Sequence, residues 1–162
     1  KFYSAHVTVG SEETSHWIWC TVYYTIRNSG FSPALNFIDS CLAFDDVVPA
    51  HDEKIVEFEE NLRKARSRGG GRVVPPNTSI EEETVALVKV DKKSGDRIAI
   101  DIILGISYNT IFYTGDPITL QSFCVFERQD EINSTPMNIS IAAIQSGNVD
   151  TMIKRIGASK MS

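Results

Sequence analysis

Between Trp17 and Phe44 two apolar runs are joined by Asn28-Ser29-Gly30-Phe31-Ser32-Pro33, and no other stretch restricts the fold as much. From Trp17 to Ile26 nearly every residue is aromatic, β-branched or Cys, the types that fit a pleated, half-buried surface. Alternation places Ile18, Cys20, Val22, Tyr24 and Ile26 on one face, and Trp17, Trp19, Thr21, Tyr23 and Thr25 on the other. The first set is the expected core face, because Thr interrupts the second and its large rings carry polar tips. Asn28 and Gly30 tolerate positive φ, and Pro33 fixes its own φ and closes the turn. A second apolar run, Ala34 to Phe44, follows at once. This arrangement predicts a strand pair at one end of a β-sandwich.

The chain has 162 residues, a length that suits one domain over 1–162 and is short for two. Hydrophobic residues at 42% and charged ones at 23% are globular values. A net charge of -5 argues against a surface built for nucleic acid. No run approaches the roughly 18 apolar residues of a membrane-spanning helix. The stretch opens on Lys1 without a charged-then-apolar leader, so any anchor or signal is expected outside it. Cys20, Cys41 and Cys124 are an odd set without metal-ligand spacing. Buried free thiols are the expectation, with a Cys20–Cys124 disulfide as the alternative.

In chain order, Phe2 to Val9 reads as a strand, with the two runs above following it to Phe44. The β pattern then breaks. Ile55, Phe58, Leu62 and Ala65 recur at the period of an amphipathic helix, with Asp52 as its N-cap and Gly69-Gly70-Gly71 as its stop. This predicts a helical insertion over about 52–68, laid against the sandwich. Val74-Pro75-Pro76 marks an edge or corner, since proline cannot donate to a central ladder. Ser79 to Val90 reads as a strand, and Lys92 to Asp96 as a turn. Arg97 to Tyr113 is a long β run, expected to bulge at Gly105. It turns back through Thr114-Gly115-Asp116-Pro117 into a hairpin partner, Ile118 to Glu127. The tail is read as a strand at Met137 to Ile144 and a short helix at Asn148 to Ile156. The expected class is mainly β: an immunoglobulin-like antiparallel sandwich with one inserted amphipathic helix.

Arg63, Lys64, Arg66, Arg68 and Arg72 flank the glycine triplet, and exposed N–H groups with guanidinium forks suit an oxyanion. The stretch is not a Walker loop, because its glycines follow a helix and no GK[ST] ending is present. The bland reading is a solvated helix end whose cations complement the dipole. His6, His16 and His51 lie apart from any cysteine pair, so no metal site is expected. Asp45-Asp46 and Asp52-Glu53 read as a solvated loop and helix start, with calcium as the sharper alternative. No G-x-S-x-G elbow is present, no catalytic set is assigned, and no cofactor is expected. Trp17, Trp19 and Tyr23 form a stripe with two readings. Either it is exposed to a partner or carbohydrate, or it is buried under the inserted helix, whose apolar face needs a counterpart.

The segment Asn28-x-Gly30-x-x-Pro33-Ala34 resembles the N-x-G-x-x-P-A elbow of immunoglobulin-like modules in bacterial envelope and membrane-anchored proteins. It is most similar to a loosely defined group in which a transmembrane helix and helical stalk precede one soluble sandwich. The likeness extends to the helix over Glu53 to Arg66, the corner Val74-Pro75-Pro76, and the hairpin Gly105 to Tyr108 with Phe123. Where such hairpins often carry Asp after the Tyr and His before the Phe, this chain has Asn109 and Thr119-Leu120-Gln121. The resemblance implies architecture and a membrane tether outside this stretch, with no reaction attached. The expected function is a non-catalytic ligand- or partner-binding or sensing domain. One alternative is an effector or enzyme acting on a phosphate-bearing ligand through the basic Gly-rich loop. Another is a scaffold forming homo-oligomers through a sheet edge. The odd cysteine count leans the domain toward the cytoplasm, with the periplasm as the other side.

Overall fold

The computed structural model describes residues 2–45, 51–68, 71–91, 97–112, 117–127, 139–147 and 151–161. In chain order the elements are β1 (Phe2–Ser11), β2 (Ser15–Arg27), β3 (Ala34–Asp45), α1 (His51–Ser67), β4 (Arg72–Val74) and β5 (Ser79–Asp91). Then come β6 (Arg97–Ile98), β7 (Ile100–Asn109), β8 (Ile118–Glu127), β9 (Ile139–Ser140), α2 (Ile141–Gln145) and β10 (Thr151–Met161). The expected turn at 92–96, most of that at 114–117, and Gly69-Gly70 lie outside the described residues.

The alternation in β2 does what period two demands. One sheet has the order β1-β2-β5, with β5 paired to β2 without a shift from Ser15↔Asp91 to Arg27↔Ser79. A second sheet has the order β10-β8-β7-β3-β4, and a small ladder joins β6 to β9. Every strand pair is antiparallel. The inner faces bury Ile18, Cys20, Val22, Tyr24, Val88 and Val90 against Ile100, Ile102, Leu104 and Phe123. The chain is therefore an antiparallel β-sandwich, and the expected inner face of β2 is the observed one.

The elbow is a crossover, not a hairpin. β2 pairs with β1 and β5, while β3 pairs with β7 and β4, so residues 28–33 carry the chain from one layer to the other. Asn28 holds the corner. Its Nδ2 donates to the carbonyls of Ser32 (2.9 Å) and Val74 (3.0 Å), and its Oδ1 accepts from the Gly30 N–H (3.0 Å). Neither Asn28 nor Gly30 takes the positive φ expected of it; among the described residues that conformation belongs to Asn36 (49°), Asn77 (56°) and Gly147 (70°). Asn36 sits where β3 slips register against both neighbours. Gly71 presses on that bulge, since a Cβ there would lie 2.3 Å from the carbonyl carbon of Asn36.

α1 covers the outer face of the five-stranded sheet. Phe58 and Leu62 are buried on Phe44, Ile103, Ile118 and Leu120, with Ile55 beside them. The helix starts at His51, placing Asp52 inside the first turn. At the last turn the buried stripe departs from the expected one: Ala65 is exposed and Arg66 is buried. Gly105 makes no bulge, because its pairings with Ser40 and Leu120 are regular. Glycine is there for another reason. A Cβ would lie 2.4 Å from Leu62 Cδ1 and 2.6 Å from Phe58 Cε1, so the missing side chain is the seat of the helix.

The tail departs from the expected one: of the strand expected at Met137 to Ile144, Ile139–Ser140 is β9, while Met137 and Asn138 lie outside the described residues and a helix follows at once. The helix is Ile141–Gln145, capped by the Ser140 hydroxyl accepting from the Ala143 N–H (3.3 Å), with Ile141 and Ile144 buried. Thr151–Met161 is the strand β10, in antiparallel register with β8, so Thr151 to Ile156 are not in the helix expected at Asn148 to Ile156; Asn148 to Asp150 lie outside the described residues. Pairing along β8 outweighs a weak local helix preference, the usual way tertiary context overrides propensity.

Candidate binding surface

The register of β1, β2 and β5 sets out the exposed side of the three-stranded sheet row by row. Because Val7, Ile18, Cys20, Val22, Ala86 and Val88 point inward, their neighbours point outward. The rows read Gly10–Trp17–Lys89, Thr8–Trp19–Leu87, His6–Thr21–Val85 and then Tyr23–Glu83. Trp19 (39%), Tyr23 (38%), Leu87 (46%) and Val85 (54%) stand in solvent. The aromatic stripe is thus not buried under the inserted helix: α1 packs on β3 and β7, in the other layer. The sequence had no way to choose between the two sheets, since both offered apolar partners to Phe58 and Leu62.

Two contacts fix the rings. The Lys89 ammonium lies 4.8 Å from the Trp17 ring centroid, a cation–π contact that holds that indole at the end of the patch. Trp19 lies over Gly10, where a Cβ would come within 2.8 Å of Cζ3 and 2.9 Å of Cη2. Val85 and Leu87 complete the patch, and sequence reading missed them there. Their signal was present: Ala86, Val88 and Val90 alternate with them and take the inner face.

The basic stretch is dispersed by the fold. Arg63 and Lys64 pair with Glu59 (3.6 Å) and Glu60 (3.7 Å) one turn back on α1. Arg66 is buried and its Nη1 donates to the Tyr108 carbonyl (3.4 Å); burial, then Arg63, lowers its pKa. Arg68 is exposed at the helix end. Arg72, in β4, donates to Glu82 (2.5 Å) of one sheet and to Asp39 (3.1 Å) of the other, and its guanidinium lies 5.7 Å from the Phe37 ring centroid. The Glu82 hydrogen bond is the largest cause holding the Arg72 pKa up. Asp39 also accepts from the Tyr24 hydroxyl, so these four side chains clamp the two layers together. Asn28, Gly30 and Pro33 sit in the elbow, beside an open pocket of about 290 Å³ whose lining mixes Ile26, Phe37, Val74 and Ile106 with Arg27, Thr110 and Thr119.

Cys20 and Cys41 are free thiols, which removes the Cys20–Cys124 alternative; the Cys124 side chain lies outside the described residues. Burial, with Cys41 nearby, pushes the Cys20 thiol up to about 12. Burial also raises Cys41, against a lowering hydrogen bond from Cys41 Sγ to Thr84 Oγ1 at 3.6 Å. His6 is exposed, and His16 Nδ1 lies 2.9 Å from the Ser11 hydroxyl. Among the described residues no group of His, Cys, Asp or Glu is placed to hold a metal ion. No protein-family model, curated protein or solved structure matches this chain.

Proposed function

We propose that this chain is a non-catalytic binding domain whose recognition surface is the outer face of the three-stranded sheet. The observation that carries the reading is the asymmetry of the sandwich. One outer face is roofed by α1, whereas the other keeps Trp19, Tyr23, Val85 and Leu87 in water. These four keep 38–54% of their surface in water, so each forgoes roughly half of the ~1.5–3 kcal/mol that full burial of a large apolar side chain contributes. Scattered apolar residues are ordinary on a surface, but a contiguous aromatic and aliphatic patch marks a contact site. Its groups are rings, aliphatic chains and hydroxyls, the chemistry of contact and not of bond making.

A tether to a bacterial membrane belongs to the same proposal and rests on the resemblance of the elbow. No helix among the described residues is long and apolar enough to cross a membrane. The free thiols of Cys20 and Cys41 support a reducing compartment for the domain. Backbone-amide NMR titration with oligosaccharides, proline-rich peptides and phosphate compounds tests the surface. Shifts centred on Trp17, Trp19, Thr21, Tyr23, Val85 and Leu87 are expected. Shifts confined to Arg63, Lys64 and Arg68 under phosphate compounds alone would replace this reading with an anion-binding one.

A further inference from the structure

We infer that the exposed sheet face takes a neutral polysaccharide, laid across Trp19; this rests on that face being the recognition surface. The shape of the site comes first. Gly10 lacks the Cβ that would collide with Cζ3 and Cη2 of Trp19, so the six-membered ring of the indole rests against β1 while the side chain stays 39% exposed. An aromatic face is the negative pole of the ring quadrupole, and it attracts the positive C–H edges that a sugar ring presents.

Charge comes second. The two central rows, Thr8–Trp19–Leu87 and His6–Thr21–Val85, contain no carboxylate, amine or guanidinium. Lys89 is held on Trp17 at one end, and Glu83 lies beside Tyr23 at the other. An anionic polymer finds no counter-charge in the middle, whereas the hydroxyls of Thr8 and Thr21 and the His6 ring can bond sugar hydroxyls.

Area comes third. At about 3.3 Å per residue and about 4.8 Å between strands, the patch from Trp17 to Tyr23 measures roughly 20 by 14 Å, or about 280 Å². A stable protein–protein interface buries about 800 Å² of accessible surface per partner, and the apolar strip by itself is narrow against that, which favours a narrow occupant. A narrow, hydroxyl-rich chain fits the strip.

Affinity electrophoresis of the 162-residue chain through gels containing a β-glucan, a xylan, a mannan or acidic alginate tests this, with a proline-rich peptide titrated separately by tryptophan fluorescence. At least one neutral polysaccharide is expected to retard the protein. Trp19→Ala should weaken that binding about tenfold, the size of one aromatic contact. Gly10→Ala should weaken it too, with Trp19 still present, because the ring must tilt off the sheet. Far-UV circular dichroism establishes that both variants are folded. Failure of every neutral polysaccharide to bind, a preference for alginate, or wild-type binding by both variants overturns the inference. Trp19-dependent binding of the proline-rich peptide alone overturns the saccharide but keeps the surface. Ligand binding that no substitution on the face disturbs removes both.

Discussion

Gly105 gives the sharpest test of how the helix is seated. A methyl group there would enter about 1 Å inside ordinary carbon–carbon contact, which begins near 3.5 Å. It would strike Leu62 Cδ1 at 2.4 Å and the Phe58 ring at 2.6 and 3.0 Å. These are ends of side chains, but Leu62 is 2% and Phe58 8% exposed, so neither has free space to yield into. Overpacking of this kind costs about 1–3 kcal/mol, and it outweighs the ~0.4–1 kcal/mol that Gly→Ala gains by restricting the unfolded chain. Leu62→Ala alone should cost about 2–5 kcal/mol through the cavity it opens. The double variant is the decisive measurement, because the new methyl occupies space that Leu62 vacates. It should be more stable than the sum of the single effects by about 1–2 kcal/mol. Urea denaturation followed by circular dichroism reads all three, and the melting temperature should fall ~2–4 °C per kcal/mol for a domain of this size. Additive single effects, or a stabilised Gly105→Ala protein, would refute the claim that glycine is there to seat α1.

Three further outcomes follow from the same contacts. Arg66→Ala should destabilise the fold by about 1–3 kcal/mol, since a buried guanidinium and its bond to the half-buried Tyr108 carbonyl are lost, whereas exposed Arg68→Ala should stay within about 0.5 kcal/mol; equal effects in urea titrations would contradict the assignment of Arg66 to the fold. Ser107 is fully buried on β7 beside the register slip of β3, and its hydroxyl has no hydrogen-bond partner among the described residues, so Ser107→Ala should raise stability by about 1 kcal/mol, and a loss of stability would reveal a partner. Cys20 has its pKa raised from an ordinary 9.0 to about 12, and Tyr24 is raised as well, chiefly by burial. Folding therefore opposes their ionisation: the Cys20 contribution is complete below pH 9 and is lost as pH climbs toward 12, and that of Tyr24 begins to fall only above its ordinary 10.0. Urea titrations at pH 8 and above pH 10 should show that loss reduced in Cys20→Ala, and an unchanged pH dependence would remove Cys20 as a cause.

Tyr24, Asp39, Arg72 and Glu82 show what the basic stretch became. Arg72 looked like part of a phosphate cradle because it follows three glycines. In the fold it stands in the interlayer clamp, stacked on Phe37 and shared between two carboxylates. Linear proximity of charges said nothing about the strand each would join. The aromatic face was half legible: period two separated Trp17, Trp19 and Tyr23 from the core set, while their exposure depended on where α1 came to rest.

By itself the sequence determined the mainly β class, the inner face of β2, and a helix close to His51–Ser67. These follow from periods of two and of three to four residues, which a chain carries locally wherever it ends up. Only the tertiary structure decided that the elbow joins layers and that α1 chooses β3 and β7. It alone made Thr151–Met161 a strand, and gave Gly10, Gly71 and Gly105 their need to lack a side chain. Each of those outcomes depends on the atoms lying opposite, and sequence order does not specify which surfaces will meet.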